Sequence, residues 1–232
     1  MKIAMWSGPR NLSTAMMYAF GNRADFAAWD EPFYAAYLKA SGLDHPMLGE
    51  IVSTHESDPD VVAERCAGEI PDGKPHFYMK HMGLHMEGFP MEWAESCVNV
   101  HLIRHPARVV ASYAAKRERP SLHDIGFQQQ VDVFERFPGP VVDSVDIRAD
   151  PERMLKLLCT EIGIEFDPAM LTWETGPKPY DGVWAAHWYG AVHRSTGFAG
   201  AEGPLPELEG DMADLVEAAL PHYERLRAVA LS

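Results

Sequence analysis

The loop that follows the first apolar segment combines glycine, hydroxyl side chains and a guanidinium group, which together suit the binding of an anion. Residues 2–6 are apolar enough for a short buried strand, and Gly8 and Pro9 end it. Helical residues resume at Ser13, which we predict to be the N-cap of the next helix. The N–H groups at such a helix start attract phosphate or sulfate oxygens, and hydroxyl and guanidinium groups strengthen the contact. The residues of this candidate anion site are Gly8, Pro9, Arg10, Asn11, Leu12, Ser13 and Thr14.

This loop shares only its first glycine with the nucleotide-binding pattern Gly-x4-Gly-Lys-Ser/Thr. The glycine and lysine of that pattern would fall at Ser13 and Thr14, so the lysine that contacts a γ-phosphate is missing. An ordinary strand-to-helix turn with a polar cap is therefore the alternative interpretation of the loop.

A second cationic site is predicted at the end of the clearest strand. Residues 98–103 are apolar and β-branched, Arg104 follows them directly, and Pro106 fits the first turn of a helix. Ser112 lies on that helix, eight residues after Arg104. A guanidinium and a hydroxyl placed in this way can hold one phosphate. The alternative is an exposed arginine at a strand end and a serine that faces solvent.

The elements around these sites indicate an α/β fold. Apolar strand candidates alternate with amphipathic helices, which is typical of a parallel sheet covered by helices on both faces, and ligands of such folds bind at the carboxyl ends of the strands. We predict a three-layer domain over residues 1–232, with a lid or wrap at residues 170–205, which are rich in glycine, proline and tryptophan. The predicted strands are residues 2–6, 26–29, 76–81, 98–103 and 141–147.

Composition excludes several classes of partner. The chain has 232 residues and a formal net charge of −14, so we expect no nucleic-acid partner. No stretch approaches the apolar length that spans a bilayer, so we expect no membrane partner either. The three cysteines have no metal-like spacing, and we interpret them as reduced thiols of a cytoplasmic protein. The histidine pairs fit the geometry of a metal site poorly, so no metal is expected.

Three ordered segments carry a resemblance to a known family. Residues 9–14 read Pro-Arg-Asn-Leu-Ser-Thr and are similar to the pattern Pro-Lys/Arg-Ser-Gly-Thr-Thr, while residues 104–112 are similar to Arg-(Asp)-Pro-Arg-Asp-Val-Val-x-Ser. Residues 145–163 resemble a strand, an Asp-Pro start and a helix. The chain thus resembles the P-loop sulfotransferase superfamily, and within it a compact bacterial subgroup. Leu12 replaces the glycine of the loop pattern, and Ala15 replaces an aromatic residue of many relatives.

The resemblance implies a P-loop NTPase-like topology and a role for each matched residue. The donor would be PAPS (3′-phosphoadenosine 5′-phosphosulfate). Arg10, Ser13 and Thr14, with the loop amides, would hold its 5′-phosphosulfate, and Arg10 would supply charge to the leaving phosphate. Arg104 and Ser112 would hold the 3′-phosphate. Arg194 corresponds, in a weaker match, to the arginine of a late loop that closes over the nucleotide in the family.

Transfer to a hydroxyl or amine also needs a group that takes the proton of the acceptor. Some relatives use a histidine after the third strand and others a glutamate after the second, so His81 and Glu31 are both candidates. We favour Glu31, because a carboxylate desolvated beside a strand becomes a stronger base. The acceptor is expected to be a small molecule that the sequence does not identify, and assembly as a homodimer stays open.

Two other functions remain as alternatives. A P-loop kinase or NTPase would use Asp30, at the end of an apolar strand, to bind magnesium, although the Gly-Lys pair is absent. The other alternative is a non-catalytic protein that senses a nucleotide or anion with the same fold.

Overall fold

Five short apolar segments pair side by side as one parallel sheet in the computed structural model, which describes residues 1–115 and 119–232. The strands are β1 (Lys2–Ser7), β2 (Phe26–Asp30), β3 (His76–Met82), β4 (Val98–Ile103) and β5 (Val141–Asp143). Their order across the sheet is β2–β3–β1–β4–β5. Because all are parallel, their carboxyl ends and the loops that follow lie at a single edge.

Helices cover both faces of this sheet. The described helices are α1 (Ser13–Gly21), α2 (Tyr34–Ser41), α3 (Leu48–Thr54), α4 (Pro59–Ala67), α5 (Pro106–Ala114), α6 (Phe127–Arg136), α7 (Ser144–Ala149), α8 (Pro151–Glu161), α9 (Ala185–Trp188), α10 (Gly190–His193) and α11 (Asp211–Arg227). Alternate side chains of β1 point to opposite faces, as a strand requires. Ile3 and Met5 pack in a cluster with α1, α7 and α8, whereas Ala4 and Trp6 pack in a cluster with α4 and α6. The predicted three-layer α/β architecture is confirmed.

The predicted strand at residues 141–147 is wrong beyond its third residue. β5 ends at Asp143, and residues 144–149 form α7 instead. The Asp143 carboxylate accepts a hydrogen bond from the Val145 N–H at 3.1 Å and so caps the helix. This cap outweighs the β-propensity of Val145 and Ile147, and the third segment of the family resemblance is a helix from its first residue.

The middle of the segment 170–205 covers the carboxyl edge of the sheet, and its α-helices are the short α9 and α10. Trp184 is fully buried there, and the Gly182 N–H donates to the Asp30 carboxylate at 3.1 Å. Thr172 and Gly197 pair in an isolated antiparallel bridge that ties the two ends of the segment together. Whether the segment acts as a lid or as a permanent wrap stays a prediction.

Two further observations concern the described residues as a whole. All three cysteines are free thiols, and Cys66 and Cys159 are buried. Within residues 1–115 and 119–232, no helix combines the length and the apolar character that crossing a membrane requires.

We predict that Gly139→Ala destabilises the fold, because the backbone at Gly139 lies close to the backbone of β4. A Cβ atom at Gly139 would lie 1.9 Å from the Asn99 carbonyl oxygen, so the backbone has to shift. The expected loss in the free energy of unfolding is about 1–3 kcal/mol, measured by urea denaturation. Gly49→Ala is the matched control, because Gly49 lies on α3 with nothing within 4 Å of its Cβ position. A Gly139→Ala protein as stable as this control would contradict the packing described.

Candidate functional site

The loop between β1 and α1 is held in an irregular path that exposes the start of α1. Arg10 has a positive φ of 57°, which is unusual for a residue with a side chain. The Asn11 side-chain amide donates to the Leu102 carbonyl of β4 at 3.0 Å and pins the loop to the neighbouring strand. A Cβ atom at Gly8 would meet the Ile125 carbonyl at 3.2 Å, so glycine suits this close approach.

The predicted N-cap role of Ser13 is wrong. Leu12 occupies the N-cap position, with φ −83° and ψ 11°, and Ser13 is the first helical residue. Leu12 has no side-chain oxygen, and no side chain caps the first turn of α1. The orphan N–H groups of that turn are thus left to an external acceptor, which is what an anion site at a helix start requires.

Arg104 joins this loop to the end of β4. Its guanidinium donates through Nη1 to the Arg10 carbonyl at 2.7 Å and through Nη2 to the Glu202 carboxylate at 2.6 Å. Its Nε is buried and has no hydrogen-bond partner among the described residues. Two segments separated by about ninety residues in sequence therefore meet at one guanidinium, and one donor of that guanidinium is still to be satisfied.

A cavity of about 520 Å³ opens beside this junction. The predicted residues that line it are Pro9, Arg10, Asn11, Ser13, Thr14 and Glu31. Its other walls are largely aromatic, with Tyr34 and Tyr37 from α2 and Trp184, Trp188 and Tyr189 from the covering segment. The Arg10 guanidinium lies between two of the rings, 4.9 Å from the Tyr113 centroid and 5.0 Å from the Trp188 centroid.

Other predicted residues lie outside the lining of this cavity. Gly8 and Leu12 are in the loop but do not reach its surface, and Arg104 lies behind the loop. Ser112 is half-buried on α5 and is not a lining residue. Arg194 is exposed at the end of α10 and is not a lining residue either.

A buried lysine and two carboxylates form the charged side of the cavity. The Lys80 ammonium, on β3, contacts an Asp30 oxygen at 2.9 Å and a Glu31 oxygen at 2.7 Å. The Tyr189 hydroxyl lies 2.5 Å from the same ammonium and donates to both Asp30 oxygens, at 2.9 and 2.8 Å. Glu31 has a positive φ of 39°, a strained conformation of the kind that functional sites hold in place.

The environment fixes the protonation of this cluster. Burial raises the pKa of Asp30, and the charge of Glu31 adds to the effect against the opposing charge of Lys80. Burial by itself lowers the pKa of Lys80, but the two carboxylates outweigh it and hold the pKa above its usual value. Burial and both carboxylates also raise the pKa of Tyr189. The ammonium is therefore charged and the phenol is a neutral donor.

His81 lies near the end of β3 and His85 follows that strand, but the two side chains occupy different places. His81 is 1 % exposed and is enclosed by Trp6, Phe33 and Trp93, with ring centroids 4.7 to 6.0 Å away. Its Nε2 has no hydrogen-bond partner among the described residues, and burial lowers its pKa to about 3. It does not line the cavity.

His85 does line the cavity. Its ring stacks between Tyr34 and Tyr37 at centroid distances of 4.8 and 4.6 Å, and its Nδ1 lies 3.9 Å from a Glu31 oxygen. Burial lowers its pKa to about 3, so the imidazole facing Glu31 is neutral.

Three residues that contribute to this edge are not among the predicted site residues. The sequence does contain a signal for Lys80, because a charged residue inside an apolar strand needs a partner of opposite charge. Tyr189 and Glu202 had none, since they belong to the segment without periodicity. In the part of the chain that the structure describes, no group of three or more His, Cys, Asp or Glu side chains is arranged to bind a metal ion.

Comparison with known proteins gives the same family over the length of the chain. A family model described as "Sulfotransferase domain" matches residues 1–230. The chain is 36% identical over 232 residues to branched-chain-amino-acid aminotransferase-like protein 2 of Arabidopsis thaliana, and 36% identical over 233 residues to protein 1 of the same name. Each alignment includes 97% of this chain but 41% of the plant protein, so the chain spans less than half of these relatives.

Solved structures of low sequence identity share the fold. The sulfotransferase domain from the curacin biosynthetic pathway aligns with a TM-score of 0.55 and 15% identity, over 94% of this chain and 96% of that one. The sulfotransferase domain from the Synechococcus PCC 7002 olefin synthase aligns with a TM-score of 0.52 and 18% identity, over 94% of each chain. The resemblance inferred from the three sequence segments is confirmed at the level of family and fold.

The burial of His81 leads to a prediction about acid stability. Its folded pKa of about 3 lies below the ordinary 6.5, so an unfolded chain takes up a proton that the folded chain excludes, and the free energy of unfolding falls as pH decreases from 6.5. His81→Phe removes this contribution. As pH is lowered from 6.5 to 5, the free energy of unfolding of His81→Phe should rise by about 1–2 kcal/mol relative to that of wild type, measured by urea denaturation.

The exposed His187 provides the control for this measurement. His187→Phe should follow the wild-type stability at every pH, because its side chain is accessible in the folded chain. A difference between His81→Phe and wild type that stays constant with pH would contradict the buried, neutral state of His81.

Proposed function

The chain belongs to the sulfotransferase domain family, and we propose that it moves a sulfuryl group from PAPS to a hydroxyl or amine of a small-molecule acceptor. The observation that carries this proposal is the junction at Arg104, where the loop after β1 and the end of β4 meet beside the cavity. PAPS carries charge at both its 5′ and its 3′ ends. Two cationic segments at one edge of the sheet suit such a molecule.

The residues present fit this donor at its 5′ end. The first turn of α1 has no side-chain cap, and Ser13 and Thr14, which each carry a hydroxyl group, line the cavity. Arg10 lies at the same surface, between two aromatic rings that limit its freedom. We assign the phosphosulfate to these groups. Arg10 would stabilise the charge that develops on the leaving phosphate, as a positioned cation does in group transfer.

The fit at the 3′ end depends on Arg104. The Arg104 guanidinium already contacts one oxyanion, the carboxylate of Glu202. Its Nε has no hydrogen-bond partner among the described residues and is a donor for a second one. Ser112, on the next helix, would add a hydroxyl to the same phosphate. When bound, PAPS supplies the activated sulfuryl group, and 3′,5′-ADP is the product that remains in the site.

Glu31 is the better placed of the two candidate bases. It lines the cavity at the carboxyl end of β2, whereas His81 is enclosed by aromatic rings and is held neutral with a pKa near 3. Lys80 contacts both Asp30 and one oxygen of Glu31, so the cluster holds Glu31 in place at the wall of the cavity. Glu31 would take the proton of the acceptor as the acceptor oxygen or nitrogen forms its bond to sulfur.

The walls of the cavity suggest the kind of acceptor. Tyr34, Tyr37, Trp184 and Trp188 present ring faces and edges beside Glu31. Aromatic walls bind planar or apolar bodies, and the polar side chains that also line this cavity would orient them. We therefore propose a ring-bearing alcohol or amine as the acceptor.

Calorimetry with 3′,5′-ADP and with ATP–Mg tests the nucleotide assignment. We expect 3′,5′-ADP to bind preferentially, and Arg104→Ala to weaken that binding by about 1.5–3 kcal/mol, because a charge-assisted hydrogen bond is lost. Arg153→Ala, at an exposed arginine on α8, should leave the affinity unchanged. Preferential binding of ATP–Mg would support a kinase or NTPase instead, and an unchanged affinity in Arg104→Ala would remove Arg104 from the site.

Turnover tests the base. With radiolabelled PAPS and a panel of ring-bearing alcohols and amines, Glu31→Gln should lower transfer by about 10²–10⁴-fold while retaining affinity for 3′,5′-ADP. His81→Phe should retain transfer. Full activity in Glu31→Gln together with loss in His81→Phe would reverse the assignment. A wild-type chain that binds 3′,5′-ADP and sulfates no member of the panel would favour a non-catalytic nucleotide sensor.

A further inference from the structure

One carboxylate of the covering segment is surrounded by three arginines. The Glu202 side chain is 1% exposed and contacts Arg104 at 2.6 Å, Arg108 at 2.7 Å and Arg148 at 2.7 Å. These arginines come from the end of β4, from α5 and from α7, so three separate elements converge on one group. Such convergence is unusual for a surface ion pair, which commonly involves two mobile side chains.

The charges at this arginine triad do not balance. Three guanidinium groups face one carboxylate, and the Arg104 Nε remains without a partner among the described residues. A carboxylate offers two oxygens and a single charge, whereas a phosphate monoester offers three oxygens and up to two charges. The triad is thus better matched to a phosphate monoester than to the group that it holds.

The segment that carries Glu202 lies outside the sheet and outside the helices that cover it. Residues 199–205 belong to no helix or strand, and most of them are exposed. The triad itself holds the segment in place, because Arg148 donates to the Gly200 carbonyl at 2.9 Å and Arg108 donates to the Gly203 carbonyl. Exchange of Glu202 for another anion would therefore loosen this segment.

We propose that Glu202 and the 3′-phosphate of the nucleotide compete for the triad of Arg104, Arg108 and Arg148, so that nucleotide binding displaces Glu202 and releases residues 199–205. This inference rests on the proposed function, which places the 3′-phosphate at Arg104. It adds Arg108 and Arg148 to the phosphate site and makes Glu202 an internal competitor. The exchange is non-covalent, so no bond forms or breaks.

Arg104 connects the triad with the loop after β1. Arg104 donates to the Arg10 carbonyl as well as to Glu202, so the guanidinium that exchanges its anion also supports the loop after β1. The apparent affinity for a ligand is reduced by the fraction of molecules whose site is occupied by the competitor. Removing the charge of Glu202 should therefore tighten the binding of nucleotides that carry a 3′-phosphate and of no others.

Calorimetry on full-length Glu202→Gln tests this competition. We expect its affinity for 3′,5′-ADP to rise by about three- to tenfold over wild type, with an unchanged affinity for adenosine 5′-phosphosulfate, which lacks the 3′-phosphate. Glu207→Gln is the matched control, because it removes the same charge from an exposed position five residues away and should change neither affinity. Circular dichroism and thermal melting establish that both variants are folded.

The outcomes separate this inference from the function on which it rests. If wild type and Glu202→Gln both fail to bind 3′,5′-ADP, the proposed function and this inference fall together. If 3′,5′-ADP binds wild type but Glu202→Gln binds it equally or more weakly, Glu202 is a fixed structural partner of the arginines and only this inference is overturned.

Hydrogen exchange on the wild-type chain gives a test that needs no variant. Saturating 3′,5′-ADP should speed the exchange of amides in residues 199–205, whereas saturating adenosine 5′-phosphosulfate should leave their rates unchanged. Slower or unchanged exchange with 3′,5′-ADP would overturn the displacement.

Discussion

A lysine ammonium buried within the sheet has to be neutralised where it lies, and much of the arrangement at the carboxyl edge follows from that requirement. Lys80 pairs in register with Asp30 across β3 and β2, so the nearest carboxylate comes from the neighbouring strand. Glu31, one residue further, reaches the same ammonium from a strained backbone conformation. Tyr189 completes the shell from the covering segment, and its hydroxyl fixes that segment over the edge. A single buried charge thus positions two strands, one loop and the segment that covers them.

The loop after β1 is supported by a different kind of interaction. Asn11 and Arg104 link it to the end of β4 through backbone carbonyl groups, at Leu102 and at Arg10 itself. These hydrogen bonds satisfy carbonyl oxygens and leave the N–H groups at the start of α1 without a side-chain cap. The loop is therefore rigid in the part that contacts protein and available in the part that faces the cavity, which is how a preorganised anion site is built.

The sequence predicts those features that depend on local patterns. The sheet could be predicted because each strand is a short apolar run that ends at glycine, proline or a charged residue. Arg104 could be predicted to lie at the end of a strand because it follows the strongest of these runs, and its place in a binding site stays a prediction. The extent of β5 could not, since the cap supplied by Asp143 acts through one hydrogen bond that competes with β-propensity. The contact of Tyr189 with Asp30 and the contact of Glu202 with Arg104 could not either, because each joins residues separated by more than ninety positions in sequence and leaves no periodic signal.

The two charged clusters have opposite excess charge, and because they are separate, each can attract a different kind of group. Two carboxylates outnumber one ammonium around Lys80, whereas three arginines outnumber one carboxylate around Glu202. With a net charge of −14, the chain as a whole repels anions, so an anionic ligand must be attracted by the cationic side alone. In the proposed function, the acidic side presents Glu31 to the acceptor at a place apart from the phosphates of the donor. A single cluster of mixed charge would neutralise itself, whereas two separate clusters each keep an excess of one sign of charge at the same edge of the sheet.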